Sequence, residues 1–125
     1  MSNRKTKLRY SFRLYVLAGE KRVLGKGGAQ ILDSVDRLGS LSATAVELKM
    51  SYRFVWRYIH RIEDRLGKPV IITRRGGTLH GKNKGGGGAK LTPVAKALLR
   101  DYLAMEQRLQ REILRANRES PNPSH

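Results

Sequence analysis

The stretch Ser51–Leu66, SYRFVWRYIHRIEDRL, decides how the rest of this chain is read. Its apolar residues stand at Tyr52, Val55, Ile59, Ile62 and Leu66, in steps of 3, 4, 3 and 4. That period places them along one side of an α-helix. Between them lie Arg53, Arg57, His60 and Arg61, on faces turned away from a core. Ser51 can cap the first turn, because a serine hydroxyl accepts from a free backbone N–H there. The start of the helix thus joins basic and hydrogen-bonding groups to the partial positive charge of a helix N-terminus. Phosphates and base edges match such an end.

The residues just upstream fit the same picture. Leu41–Lys49, LSATAVELK, reads as a short helix capped by Ser40 or Ser42. Ala45 is small enough to let two helices cross closely, Leu48 and Met50 fill the angle between them, and Val55 anchors the second helix. That is the arrangement of a helix-turn-helix. The turn position is Lys49, where a positive φ suits glycine better; a lysine there costs about 1 kcal/mol. An ordinary helix pair in a small helical protein would show the same spacing.

Length and composition bound the possibilities. The 125 residues suffice for one domain. Twenty-six Lys and Arg against ten Asp and Glu leave a net charge of +16, which draws the chain to a polyanion. No apolar run is long enough to span a bilayer and no signal peptide opens the chain, so a cytoplasmic, nucleoid-associated protein without membrane partners is expected. With no cysteine there is no disulfide and no thiolate metal site. His60, His80 and His125 are far apart and unpaired with carboxylates at ligand spacing, so no metal site is expected. Gly76–Lys82 imitates the start of a P-loop, but Asn83 stands where Ser or Thr should hold magnesium and no helix follows. Asp33 and Asp36 read as a solvated face. No nucleophile–base pair can be assembled, so neither an enzyme nor a cofactor is expected.

The remaining segments complete an α+β layout. Residues 1–7 form a basic arm with Arg4, Lys5 and Lys7, either a solvated terminus or a phosphate contact. Leu8–Val16 alternates apolar and polar and predicts a half-buried strand, with Val23-Leu24 as a short return strand. Gly25–Gly28 is expected to break the chain before a helix over Ala29–Leu38, which Gly39 ends. After Gly67 and Pro69, Val70–Thr73 predicts one strand and Ala89–Leu91 its return. The loop between them, Arg74–Gly88, is rich in glycine and lysine, so the domain is expected to span residues 8–92. Its hairpin carries Arg74, Arg75, Lys82, Lys84 and Lys90, and Lys68–Thr92 has no acid at all. Glycine lets such a wing approach a phosphate wall while the cations supply charge.

Thr92-Pro93 opens a final helix, Thr as N-cap and Pro in the first turn, predicted over residues 93–118. Leu98, Tyr102, Met105, Leu109 and Ile113 form a nearly heptad stripe longer than one domain needs. A partner helix is the expected cover, hence a homodimer. Residues 119–125 read as a disordered tail.

From about Gly27 to Leu99 the chain resembles the DNA-binding domain of ModE-type molybdenum-dependent transcriptional regulators, close in pattern to LysR-type winged helices. The matching pieces are ILDSVDRLGSLSATA, MSYRFVW and GGGGAKLTPVAKALL, the glycine run before A-x-LTP being the most specific. The resemblance implies a winged helix-turn-helix with an N-terminal strand and a long C-terminal dimerisation helix. It implies a dimer on double-stranded DNA, with major-groove contacts from Ser51, Tyr52, Arg53, Trp56 and Arg57, and backbone or minor-groove contacts from the wing. Lys49 replaces the family's turn glycine and the wing is several residues longer. The chain stops after the long helix, so the molybdate-binding module, and with it molybdate, is not expected. The functional expectation is a sequence-specific regulator acting on an inverted repeat; the alternative is an architectural chromatin protein with little sequence preference. Trp56 is left open between groove and core.

Overall fold

A computed structural model describes residues 6–74 and 88–119. The elements run β1 (Val16–Ala18), β2 (Lys21–Leu24), α1 (Lys26–Leu38), α2 (Leu41–Leu48), α3 (Tyr52–Leu66), β3 (Ile71–Arg74), β4 (Gly88–Leu91) and α4 (Pro93–Arg118). The strands make two separate antiparallel hairpins, β1–β2 and β3–β4. This is an α+β winged helix-turn-helix: three helices, a hairpin after the third, and a long closing helix.

Helix α1 touches α2, α3, α4 and β4, and so lies at the centre. Ile31, Leu32 and Val35 from α1, Val55, Ile59 and Ile62 from α3, and Leu24, Val70, Leu91 and Leu99 share one buried cluster. The helix boundaries follow from local chemistry. Gly39 and Gly67 end α1 and α3 at φ of 67° and 80°, conformations that glycine reaches without a Cβ clash. Ser40 Oγ accepts from the Ala43 N–H, and Thr92 Oγ1 from the Ala95 N–H. Of the two serines expected to cap α2, Ser40 is therefore the one that does.

Lys49 ends α2 in the left-handed region, at φ 57°. Its N–H donates to Val46 and the Met50 N–H to Ala45, the paired bonds of a Schellman turn. The turn is made despite the side chain.

Three expectations are corrected. First, α1 begins at Lys26, so Gly27 and Gly28 sit inside its first turn rather than breaking the chain. A Cβ on Gly28 would lie 2.8 Å from Leu24 Cδ1 and 3.3 Å from Tyr58 Cε1; one on Gly27 would lie 3.2 Å from the Tyr58 hydroxyl. The glycines are there for close approach of α1 to α3.

Second, of the predicted strand Leu8–Val16 only Val16 belongs to a ladder. Residues 10–14 find side-chain partners on α4 instead. The Tyr10 N–H donates to Asn117 Oδ1 at 2.6 Å, and Asn117 Nδ2 donates back to the Tyr10 carbonyl at 3.0 Å. The Tyr102 hydroxyl donates to the Leu14 carbonyl at 3.4 Å. The segment therefore lies along α4, antiparallel to it. Leu8 and Tyr10, expected on the buried side, are about half exposed.

Third, Tyr102 is 3% exposed within its own domain and cannot serve as a dimer contact. Burial, and then the charge of Glu106, push its phenol above the ordinary value. Leu98 likewise packs against the domain core. Leu109 and Ile113 are half-buried, while Met105 is exposed.

Candidate nucleic-acid interface

The apolar side of α3 is narrower than its sequence period implies. Val55, Ile59 and Ile62 are buried and Leu66 half-buried, but Tyr52 is 51% exposed. Ser51 Oγ accepts from the Phe54 N–H at 3.0 Å, so the cap is made and its oxygen is committed to the helix start. Arg53 and Arg57 stand exposed on the outward face, and neither joins an ion pair among the described residues.

Trp56 faces outward, not into the core. Its ring stacks on His60, with centroids 3.8 Å apart and planes 24° from parallel. His60 Nδ1 lies 2.9 Å from the Trp56 carbonyl, which holds the imidazole flat against the indole when that nitrogen carries the proton. The pair forms a planar wall beside Arg53 and Arg57. Phe54, 47% exposed and edge-on to Tyr58 at 5.8 Å, was not singled out by the sequence. Its position between two apolar-stripe residues gave no periodic signal. A surface aromatic on the same helix start is nevertheless part of the same exposed surface.

The hairpin adds cations from a second element. Ile71 pairs with Leu91, Ile72 with Lys90, Thr73 with Ala89 and Arg74 with Gly88. The pleat therefore puts Ile72, Arg74 and Lys90 on one face, all exposed, and Ala89 and Leu91 on the other, both buried. Arg75, Lys82 and Lys84, at the wing, and Arg4 and Lys5, in the arm, lie outside the described residues. Lys7 is described and exposed.

Two contacts fix the angles among these elements. Arg37 on α1 donates to Glu47 on α2, and Ser34 Oγ donates to the same carboxylate at 2.7 Å. These bonds hold the Glu47 carboxyl below its ordinary value and, with Asp33, hold the Arg37 guanidinium further above its own. Glu63 on α3 accepts the Val70 N–H, linking α3 to the strand that begins the wing.

Residues 28–81 match the family described as bacterial regulatory helix-turn-helix protein, lysR family. The molybdenum-pterin-binding protein MopB of Rhodobacter capsulatus is 35% identical over 83 residues, 66% of this chain and 28% of that one. The molybdenum transport protein ModE of Herbaspirillum seropedicae is 31% identical over 78 residues, 62% of this chain and 27% of that one. The segment is a ModE-type, LysR-family helix-turn-helix domain. It is a DNA-binding domain of the kind that transcriptional regulators carry, and the matched residues hold the helix pair α2 and α3. The chain spans little more than a quarter of the curated relatives it matches. Among solved structures, ArgP from Mycobacterium tuberculosis is similar over 73% of this chain and 29% of that one, with a TM-score of 0.48 and 22% identity. No helix among the described residues is long and apolar enough to cross a membrane.

Proposed function

We propose that this ModE-type chain is a cytoplasmic, nucleoid-associated transcriptional regulator that binds a specific duplex DNA site as a homodimer. The observation that carries the reading is the outward face of α3. Arg53 and Arg57 are exposed there without carboxylate partners among the described residues, beside the Trp56–His60 wall and behind a capped helix start. Arginine presents paired donors that fit the O6 and N7 edge of guanine, worth roughly 1–3 kcal/mol of discrimination per good contact. Ser51 and Tyr52, at the helix start, complete the reading surface. Arg74 and Lys90, with Arg75, Lys82 and Lys84 and the arm cations Arg4, Lys5 and Lys7, contact phosphates and add affinity without sequence information.

Dimerisation is assigned to α4, with Tyr102 and Leu98 removed from the contact set. Leu103 and Leu114, 38% and 52% exposed, lie on one face of this helix and are the side chains a second α4 would cover, while Met105 stands on the opposite face. Two recognition helices related by a two-fold axis read an inverted repeat, with half-sites about one helical turn apart or a multiple of it.

Selecting bound sites from random duplex DNA tests the reading. The expected product is a palindrome whose recovery disappears in the Arg53→Ala/Arg57→Ala variant with the fold intact. If roughly eight phosphates are neutralised per dimer, log K falls against log salt with a slope near about −7. The net charge of +16 favours a second reading, a protein that coats DNA with little regard to sequence. A ratio near one between the selected site and random DNA would establish that second reading and reject the first.

A further inference from the structure

A groove of about 690 Å³ opens beside the recognition helix, away from Arg53 and Arg57. Its walls come from the N-terminal segment, β2, the start of α1, the flank of α3, and α4. Arg13, Arg22, Lys26, Arg61 and Arg65 line it, against the single acid Glu106. Among the described residues none of these five cations is in an ion pair with a carboxylate.

Two of the arginines are already shaped for an oxyanion. The Arg22 guanidinium lies over the Tyr15 ring at 4.1 Å, and that of Arg61 lies over Tyr58 at 4.7 Å. A guanidinium stacked on an aromatic face is held in plane, and its N–H edge stays free for two parallel bonds to a phosphate or carboxylate. Arg65 is held as well, donating to the Arg22 carbonyl at 2.9 Å. Gly25 leaves room for this arrangement: a Cβ there would meet the Tyr15 ring at 2.8 Å. Five cations gathered against one acid repel one another, and a bound anion relieves that repulsion.

We propose that this groove is a binding site for a small polyanion bearing two adjacent oxyanion groups, of the diphosphate class. Its volume falls in the range of small-molecule sites, and its concave shape with walls from five elements suits a compact ligand better than a continuous duplex backbone. Tyr58, Arg61, Ile62 and Arg65 belong to the recognition helix, so the ligand rests against the element that faces DNA. The site is independent of the DNA-reading assignment.

A chain of this charge attracts any anion, so the test must separate a site from a cloud. The full chain, without DNA, is titrated with inorganic pyrophosphate by calorimetry at physiological salt. Saturable one-to-one binding is expected. Arg22→Ala/Lys26→Ala, which keeps the Arg22 carbonyl for Arg65, should weaken it at least tenfold, and Arg61→Gln should do so separately. Arg108→Ala/Arg111→Ala, on an exposed stretch of α4, should change it less than twofold. The proposal is overturned by binding that never saturates, or by equal losses in both sets of variants, which would signify diffuse attraction. It is also overturned if the groove variants lose duplex affinity and keep that for pyrophosphate, because the groove would then be a surface for the DNA backbone.

Discussion

The Glu63 carboxylate accepts the backbone N–H of Val70 at 2.8 Å, joining the recognition helix to the first wing strand across seven residues. Val70 is fully buried, so its N–H has no access to water. Thr92 meets the same stretch of chain from the other side: its N–H donates to the Val70 carbonyl and its hydroxyl to that of Pro69. The wing's angle to α3 is thus set by one side chain and one helix cap. Glu63→Ala strands a buried donor, which costs about 1–3 kcal/mol. Chemical denaturation should show that loss, and affinity for a selected duplex should fall further than stability does. A variant with unchanged stability would show that water replaces the carboxylate.

Lys49 offers the opposite sign. A non-glycine residue at φ 57° carries strain of about 1–2 kcal/mol from Cβ against the following carbonyl. Lys49→Gly removes the strain, and the greater freedom of glycine in the unfolded chain offsets part of the gain. A net rise in unfolding free energy of about 1 kcal/mol is expected. A loss would mean that the lysine side chain contributes more than its backbone costs.

Thr44 is fully buried in α2, and its Oγ1 has no hydrogen-bond partner among the described residues. Thr44→Val keeps the branched shape and removes the hydroxyl. Stability should rise by about 1 kcal/mol, the lower end of the cost of an unmatched buried polar group. Measured melting that falls instead would point to a partner for the hydroxyl, such as a bound water.

The Arg37–Glu47 contact makes an acid-sensitive joint between α1 and α2. The Glu47 carboxyl is held below its ordinary value of 4.5, first by the Arg37 bond and then by that from Ser34. A folded value lower than the unfolded one means the contribution is complete above the ordinary value and is lost as pH falls through the folded one. Thermal melts from neutral pH downward should show wild type more stable than Glu47→Gln, with the gap closing in acid. A gap that stays constant across the range would remove the carboxylate charge from the account.

Much of the helix-turn-helix was legible because its signals are local. Ser51, Thr92-Pro93, Gly39 and Gly67 mark helix ends through bonds to residues three or four places away, and each end is where those residues put it. The first hairpin strand shifted by one residue, to Ile71–Arg74, and the second starts one residue earlier, at Gly88. The exposure of Arg53 and Arg57 followed from the same period that buries Val55 and Ile59. Tyr52 defeats that period because it lies in the first turn, beyond the edge of the core.

What the sequence alone determined was therefore the set of helices, their caps and their charged outer faces, since a chain neighbour three or four residues along is always within reach. Only the tertiary structure decided where residues 10–14 go. Asn117 offers Tyr10 both halves of a backbone pairing across 107 residues of separation, and no periodic pattern records such a partner. The same holds for the cations of the groove: Arg13, Arg22 and Arg61 are scattered in sequence. They converge because Gly27 and Gly28 let α1 press against Tyr58 and because Tyr102 is buried beside the N-terminal segment.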